Sequence, residues 1–180
     1  MQDLMLFKTL HFFLEHPYQE VYLRQLAKKT GLSPFAIKKY ADFLIKEGLI
    51  LEDKRANLRY FKANVNNVFF KHLKIAFNVN LLQKSGLILH LTENTSNVSS
   101  IVLFGSMAKG LDDEKSDADL LVIGKEKHMD LEKFEEIIRR DISLHVFGWS
   151  NWNKKAKTDK AFYLEVIANG ICVYGEKPVI

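Results

Sequence analysis

Residues 101–123 read IVLFGSMAKGLDDEKSDADLLVI, and this stretch decides the fold of the second half of the chain. The apolar run at 101–104 predicts a buried strand that ends at Gly105-Ser106. A short polar loop follows, and residues 116–123 predict a second strand. The stretch therefore predicts two strands joined by a loop, with small residues at one end of the loop and acidic residues at the other.

Two acidic residues begin the second of these strands. Because side chains alternate along a strand, Asp117 and Asp119 are expected on one face of it, close to each other. Adjacent carboxylates repel each other, which indicates that a cation or a proton lies between them. Mg²⁺ is the expected cation, since it prefers oxygen ligands and often shares the phosphates of a substrate.

The Gly-Ser pair at the end of the first strand predicts a phosphate site. Glycine lets the backbone approach a ligand closely, and the start of a following helix offers free N–H groups to a phosphate. We expect Gly105 and Ser106 to contact such a phosphate, with Lys109 nearby as a positive charge. A phosphate site beside a metal site favours metal-assisted nucleotidyl transfer, in which ions neutralise the leaving pyrophosphate.

The combined motif resembles the signature of the minimal nucleotidyltransferases. It consists of LFGS-x-A-x-G, ten residues between Ser106 and Asp117, and then S-D-x-D-L-L-V. These proteins belong to the DNA polymerase β-like superfamily, together with kanamycin nucleotidyltransferase-like proteins, and the resemblance covers residues 98–175. It implies a small mixed sheet flanked by helices, Mg²⁺ or Mn²⁺ at the aspartate pair, and an NTP, expected to be ATP, bound through Gly105-Ser106. The implied reaction is transfer of NMP to a hydroxyl of a small molecule, a protein or a nucleic acid.

One acid that the resemblance implies is missing. Full catalysts of the superfamily have a third carboxylate on a later strand, which holds metal and activates the nucleophile. Residues 142–147 predict that strand here, and its alternation places Asp141, Ser143 and His145 on one side. Ser143 or His145 is expected at the third position, and Asp141 only if the register shifts toward the start of the strand. His145 is a candidate base at neutral pH, so the candidate catalytic residues are Asp117, Asp119, His145 and Asp141.

The first half of the chain has a different pattern. Residues 4–15, 23–29 and 34–47 predict three helices. Ser33-Pro34 is typical of a helix start, with serine as the N-cap and proline as the first helical residue. The polar residues 52–57 predict the turn of a β-hairpin. This order of elements resembles a winged helix-turn-helix over residues 4–63.

In the winged-helix family the third helix enters the DNA major groove, and the hairpin contacts phosphates or the minor groove. The resemblance implies DNA contacts from exposed positions of the third helix and the hairpin: Ser33, Phe35, Lys38, Lys39, Asp42, Lys54, Arg55 and Arg59. Lysine contacts to phosphate supply affinity that falls with salt rather than sequence preference. RNA and a protein partner are the alternatives for this surface.

Composition and charge indicate which kind of partner and which cellular compartment to expect. The apolar share of 47% supports a packed core rather than disorder, and the net charge is +4. Residues 1–74 carry 13 Lys/Arg and 7 Asp/Glu, whereas residues 75–180 carry 13 and 15. The basic first part indicates a polyanionic partner. Apolar runs are too short to span a membrane, and the lone Cys172 fits a cytoplasmic protein.

The stretch between the two halves predicts one or two helices. Apolar residues in 65–91 recur at intervals of four and three, and this stripe packs against the next domain or forms a homodimer seam. The polar residues 92–100 predict a loop and the domain boundary. The chain is thus predicted to be α+β, with a winged helix domain at 1–63, a helical linker at 64–95 and a nucleotidyltransferase-fold domain at 96–180, whose mixed sheet is flanked by helices.

The C-terminal part predicts scaffold. Trp149 and Trp152 are expected to pack on the sheet edge, and the lysines that follow at 154–160 are expected in a solvated turn. The predicted function is that of a DNA-binding protein whose second domain binds NTP·Mg²⁺ and transfers NMP to an acceptor hydroxyl. The alternative is a catalytically weakened nucleotidyltransferase fold that acts as a transcriptional regulator, or as an antitoxin-like protein that binds a partner.

Overall fold

The computed structural model of the chain describes residues 2–125 and 129–180. The chain forms two compact units, of which the first ends at Lys74 and the second begins at Ile75. The division falls inside a helix, Val68–Ser85, rather than in a loop. Across the described ranges, none of the helices has both the length and the apolar content required to cross a membrane.

The first unit combines helices with a small antiparallel sheet. Its elements in chain order are α1 (Gln2–Glu15), β1 (Val21–Tyr22), α2 (Leu23–Thr30), α3 (Pro34–Lys46), β2 (Ile50–Arg55) and β3 (Leu58–Ala63). The central strand β3 pairs with both others, so the strand order is β1-β3-β2. The three helices and the hairpin predicted from the sequence are therefore present.

The start of α3 and the tip of the hairpin follow from local chemistry. Ser33 Oγ accepts a hydrogen bond from the Ala36 N–H at 3.2 Å, which satisfies one of the free donors at the start of α3. The predicted hairpin turn at 52–57 is too long, because β2 continues to Arg55 and leaves only Ala56 and Asn57 between the strands. The short strand β1 was not predicted, since two residues show no detectable period.

The helical stretch contains two helices, α4 (Val68–Ser85) and α5 (Leu87–Asn94). Gly86 separates them with a left-handed φ of 80°. The predicted loop at 92–100 is wrong, because α5 continues to Asn94 and the next strand, β4 (Ser96–Phe104), begins almost at once. The polar residues 96–100 form a bulged start of β4, in which Ser96 and Ser100 pair with one neighbouring strand across a register shift and Ser100 also pairs with the strand on the other side.

The rest of the second unit consists of a mixed sheet with helices on both faces. After β4 come α6 (Gly105–Lys109), β5 (Ala118–Lys125), α7 (Glu132–Ile138), β6 (Ile142–Phe147), α8 (Trp149–Thr158), α9 (Lys160–Leu164), a π-helical turn (Glu165–Asn169) and β7 (Ile171–Gly175). The strand order is β6-β5-β4-β7, with β5 and β6 parallel and the other pairs antiparallel. The predicted mixed sheet flanked by helices is therefore confirmed.

Strand alternation divides the core of the second unit between the two faces of the sheet. Leu103 and Leu120 pack on one face with buried residues of α4, α5 and α7. Phe104 and Leu121 pack on the other face with Trp152 of α8. Asp119 lies between Ala118 and Leu120 on β5, so it shares the second face.

The segment around the two tryptophans is a helix rather than a solvated turn. Trp152 is completely buried in α8, and its Nε1–H donates to the carbonyl oxygen of Pro178 at 2.7 Å. Trp149 is 47% exposed at the start of the same helix. The expectation of a lysine-rich turn was wrong because Trp152 anchors one face of α8, so that the lysines at 154, 155 and 157 belong to a regular helix and Lys160 begins α9.

Candidate functional site

The candidate site is built around Asp119, the second residue of β5. Its register partners are Phe104 on β4 and Ser143 on β6, so the site lies where β4 gives way to α6. Gly105 adopts a left-handed φ of 72°, and a Cβ added to it would overlap Oδ2 of Asp119. The glycine is therefore required twice, for its backbone conformation and for the close approach of the carboxylate.

Burial and two neighbouring carboxylates disfavour the ionised form of Asp119. Burial of the half-buried carboxyl raises its pKa, and the nearby carboxylates of Asp117 and Glu165 act in the same direction. The hydrogen bond from Ser143 and the charge of His145 oppose this rise. The net shift of the Asp119 pKa is upward, which means that a cation at this position would relieve an unfavourable electrostatic state.

Ser143 occupies the position nearest to Asp119 on the adjacent strand. It hydrogen-bonds Asp119, and its Oγ also lies 3.3 Å from Nε2 of His145. The His145 ring packs beside Phe104 and Phe162, with centroid separations of 5.6 and 5.4 Å. Of the alternatives left open for the third position, the register places Ser143 directly opposite Asp119 and His145 one step farther along the face.

The other two candidate carboxylates differ in position. Asp117 is exposed and immediately precedes β5, so it is close enough to raise the pKa of Asp119. Asp141 is also exposed, but it lines a surface depression with Glu135 and Arg140. The structure therefore brings together Asp117, Asp119, Ser143 and His145, whereas Asp141 lines a different part of the surface.

The predicted phosphate-binding residues lie at the start of α6. Ser106 is half-buried in the first turn, and no side chain caps this end of the helix. Backbone N–H groups of an uncapped first turn are available to an anion. Lys109 lies at the end of α6, and its Nζ is 2.6 Å from Oε1 of Glu165.

Glu165 is a residue of the site that the sequence did not reveal. It begins the π-helical turn, and its ion pair with Lys109 lowers the Glu165 pKa. It also contributes to the raised pKa of Asp119. Its position in the sequence fits an ordinary exposed helix site, and no motif marks it.

The residues present fit a divalent cation with a small set of protein ligands. The described part of the chain contains no group of three or more acidic, histidine or cysteine side chains arranged to hold a metal ion. Asp117 and Asp119 provide two hard oxygen donors, and the Ser143 hydroxyl lies beside them. Mg²⁺ usually takes only one or two protein carboxylates and completes its shell with water and substrate phosphates. The donor set is compatible with Mg²⁺ or Mn²⁺ on that basis.

Several predicted DNA-contacting residues lie on the exposed face of α3. Phe35 is 80% exposed, and Lys38 and Lys39 are exposed beside it. Ser33 uses its hydroxyl as the N-cap of α3. Asp42 lies farther along the helix and forms an ion pair with Nη2 of Arg59 at 2.5 Å, which ties α3 to the hairpin.

Both arginines of the hairpin are already engaged with acids of the first unit. Arg59 also binds Glu52 on the neighbouring strand. Arg55 forms a bidentate pair with Glu20, with N···O distances of 2.7 and 2.8 Å, and contacts Asp53 at 2.7 Å. Lys54 is exposed near the same hairpin tip. The sequence identified the basic residues of the hairpin but not their acidic partners, of which Glu20 and Asp42 are distant along the chain, Glu52 lies across the strand pair and Asp53 is on the same strand as Arg55.

The comparison with protein families agrees with the site. Residues 86–178, just over half of the chain, match the family described as Polymerase beta, Nucleotidyltransferase. This range contains α6, the aspartate pair and the whole mixed sheet. Neither the comparison with curated proteins nor the comparison with solved structures returned a match. With the mixed sheet, the Gly-Ser turn and the paired aspartates in place, the chain belongs to the polymerase β nucleotidyltransferase family.

Proposed function

We propose that the second unit binds an NTP together with Mg²⁺ or Mn²⁺, with ATP as the first nucleotide to test, and transfers NMP to an acceptor hydroxyl. The observation that carries this proposal is the Asp119 carboxyl, which lies against Gly105 at the start of α6 and beside Asp117. Two carboxylates next to an uncapped helix start suit a triphosphate and its cation.

Each residue of the site has a distinct role in this proposal. Asp117 and Asp119 would hold the cation, which would neutralise charge on the triphosphate. Gly105 and Ser106 receive phosphate oxygens through backbone N–H groups and the serine hydroxyl. His145, whose Nε2 lies 3.3 Å from Oγ of Ser143, accepts the proton that the acceptor hydroxyl loses. In the transfer, the acceptor oxygen bonds to the α-phosphorus while the bond to the leaving pyrophosphate breaks.

The experiment that tests nucleotide binding is a titration of ATP with and without Mg²⁺. We expect Mg²⁺ to strengthen ATP binding to the natural chain and to have no effect on the Asp117→Ala/Asp119→Ala double variant. The matched control is Glu114→Ala, which removes an exposed acidic side chain from the loop before β5 without removing a proposed ligand. Equal affinities for the natural chain with and without Mg²⁺ would overturn the proposal.

A second function is favoured by one observation. Ser143 is the residue opposite Asp119, which supports a hydroxyl at the third position, where full catalysts of the superfamily are expected to have a carboxylate. A site of this kind can bind nucleotide and cation while the proton-transfer step, worth about 10²–10⁴-fold, is weakened. The protein would then act as a nucleotide-responsive regulator, or as an antitoxin-like protein that binds a partner.

Pyrophosphate release distinguishes the two functions. The natural chain and Ser143→Asp are incubated with labelled ATP, Mg²⁺ and candidate acceptors. A regulator is expected to bind ATP without releasing pyrophosphate, and Ser143→Asp is expected to increase any release by supplying the missing carboxylate. Rapid release by the natural chain that Ser143→Asp does not increase would favour the enzyme and contradict the weakened site.

For the first unit, we propose a winged helix-turn-helix that binds DNA. Its three helices followed by an antiparallel hairpin support this assignment, and so does the exposed face of α3 with Phe35, Lys38 and Lys39. The ion pair between Asp42 and Arg59 braces the hairpin against this helix. In this arrangement α3 enters the major groove, and the hairpin lies beside the phosphate backbone.

DNA binding is tested by the salt dependence of affinity. Lys38→Ala/Lys39→Ala is expected to weaken DNA binding and to reduce the slope of log K against log salt by up to about 2, roughly one unit for each lost phosphate contact. The matched control is Lys154→Ala/Lys157→Ala, which removes the same charge from exposed positions of α8. Equal slopes in the two double variants would argue against α3 as the contact surface.

A further inference from the structure

A buried polar network holds the loop that carries Asp117. This loop connects α6 to β5 and covers residues 110–117. Within the second unit, Asn78 of α4 is fully buried, the Asp112 side chain is 0% exposed and the Arg140 side chain is 6% exposed. Buried charges persist in proteins when they are paired and hydrogen-bonded, so the partners of these side chains constrain the loop.

Asp112 is the centre of this network. Its Oδ2 lies 2.9 Å from Nη2 of Arg140, and its Oδ1 accepts a hydrogen bond from Nδ2 of Asn78 at 2.7 Å. The same Asn78 amide donates to the carbonyl oxygen of Met107, in α6, at 2.9 Å. One buried carboxylate thus connects the loop to α4, to α6 and to the segment that follows α7.

Arg140 also binds the backbone of the loop directly. Its Nη1 donates to the carbonyl oxygens of Asp113 and Ser116, the latter at 2.8 Å. Between these carbonyls the Asp113 carboxylate accepts from the Lys115 N–H and the Ser116 hydroxyl, each at 2.9 Å. Ser116 is the residue before Asp117. The guanidinium therefore fixes the peptide group from which the Asp117 side chain departs.

Arg140 lies two residues before β6, the strand that carries Ser143. The next residue, Asp141, accepts a backbone hydrogen bond from the Ala118 N–H at 2.8 Å. The chain on either side of Asp117 is thus bound to residues 140 and 141. This arrangement sets the position of Asp117 relative to Asp119 and Ser143.

We propose that Arg140, held by Asp112, is a positioning residue that fixes Asp117 for cation binding. The inference rests on the proposed binding of NTP·Mg²⁺ by the second unit. It requires the planar fork of arginine, which can bind a carboxylate and two carbonyls at once, whereas the single ammonium group of lysine cannot reproduce this geometry. Outer partners that orient metal ligands commonly affect metal affinity even though they do not touch the ion.

The test compares Arg140→Lys with Arg139→Lys, the same change at the exposed neighbouring position. ATP affinity is measured with and without Mg²⁺, and thermal unfolding is followed for each variant. We expect Arg140→Lys to reduce the Mg²⁺-dependent gain in ATP affinity by about 10- to 100-fold while the affinity without Mg²⁺ is unchanged. Arg139→Lys is expected to bind as the natural chain does.

A double variant separates positioning from general destabilisation. In the Asp117→Ala background, Arg140→Lys is expected to cause no further loss of the Mg²⁺-dependent gain, because its effect passes through Asp117. Amide hydrogen exchange is also expected to accelerate in residues 113–118 of Arg140→Lys and not in β4. An additional loss in the double variant would contradict the inference, and so would an unchanged Mg²⁺ response in folded Arg140→Lys.

Asp112→Asn provides a second variant, since it keeps the shape of the side chain and one acceptor oxygen. It is expected to reduce the Mg²⁺ response in the same direction. Unfolding of both Arg140→Lys and Asp112→Asn would overturn the inference, because the pair would then hold the whole unit rather than the loop. If the natural chain shows no Mg²⁺ response, the proposed function is wrong. If both folded variants keep the response of the natural chain, only the positioning role of Arg140 is wrong.

Discussion

Gly105 and Gly86 have similar left-handed backbones, with φ of 72° and 80°, but different surroundings. A Cβ added to Gly105 overlaps the Asp119 carboxylate, whereas nothing lies within 4 Å of one added to Gly86. We expect Gly86→Ala to lower the free energy of unfolding by about 1 kcal/mol through backbone strain, and Gly105→Ala to lower it further because its Cβ also overlaps the Asp119 carboxylate. Only Gly105→Ala is expected to abolish Mg²⁺-dependent ATP binding. Urea unfolding and ATP titration measure these effects, and equal ATP binding by both variants would contradict the role of Gly105.

The raised pKa of Asp119 predicts a stabilising substitution at the centre of the site. Burial raises this pKa, so the ionised side chain destabilises the folded chain, and the stability linked to its protonated form is lost as pH rises through the raised value. Asp119→Asn is therefore expected to increase the Tm at neutral pH without Mg²⁺, and this gain is expected to vanish in acid. Thermal unfolding across pH, with and without Mg²⁺, measures it.

Asp113→Asn is the control, because its expected change in Tm has the opposite sign to that of Asp119→Asn. The hydrogen bond from Ser116 lowers the pKa of Asp113, so the stability linked to its ionised form is present at neutral pH and is lost as pH falls. Asp113→Asn is expected to decrease the Tm at neutral pH. A decrease in the Tm of Asp119→Asn under the same conditions would show that its carboxylate is stabilising and that the electrostatic account is wrong.

At the scale of secondary-structure elements, the arginines of the β2–β3 hairpin form ion pairs with acidic residues of the first unit. Glu20 binds Arg55 through both carboxylate oxygens. Glu20→Gln is expected to make Nη1 and Nη2 of this guanidinium available to a phosphate while Nε stays with Asp53, which would increase DNA affinity and raise the slope of log K against log salt by about 1. Glu47→Gln, the same change at an exposed residue after α3, is the control. Lower DNA affinity for Glu20→Gln than for Glu47→Gln would show that the pair is needed to shape the hairpin.

The elements that the sequence predicted well are those with strong local signals. Ser33-Pro34 marked the start of α3, the apolar run at 101–104 marked the end of β4, and the stretch 116–123 marked β5. The predicted loop at 92–100 was wrong because α5 continues to Asn94, and because the pairing of Ser96 and Ser100 with β5 and of Ser100 with β7 outweighs the turn preference of asparagine and serine. Local sequence does not encode those distant partners.

The same distinction applies to the candidate site. The motif identified Gly105, Ser106, Asp117 and Asp119 because their roles depend on short spacings along the chain. Glu165 was not identified, since it approaches Lys109 and Asp119 only through the packing of the π-helical turn. The ion pair between Asp112 and Arg140 was missed for the same reason, as 28 positions separate the two residues.

At the scale of the whole molecule, the two compact units predict separable functions. The division lies within α4, whose start is stabilised by Asn67, since Oδ1 of this residue accepts a hydrogen bond from the Phe70 N–H at 3.0 Å. A chain that begins at Asn64 keeps this start and all of the second unit. We expect it to retain the Mg²⁺ response of ATP binding and to lose DNA binding. Circular dichroism and ATP titration test this, and a folded fragment without the Mg²⁺ response would contradict separability.

The strand order β6-β5-β4-β7 also has a consequence for how the protein is made. β4 lies in the middle of its sheet, yet its neighbour β7 is the last strand along the chain. During translation the first unit has all of its strands once Ala63 has left the ribosome, whereas β4 keeps an open edge until β7 emerges. Open strand edges promote aggregation. A premature stop codon after β6 is therefore expected to release a polypeptide whose first unit is folded and whose second unit is aggregation-prone. Cellular proteases would degrade this polypeptide.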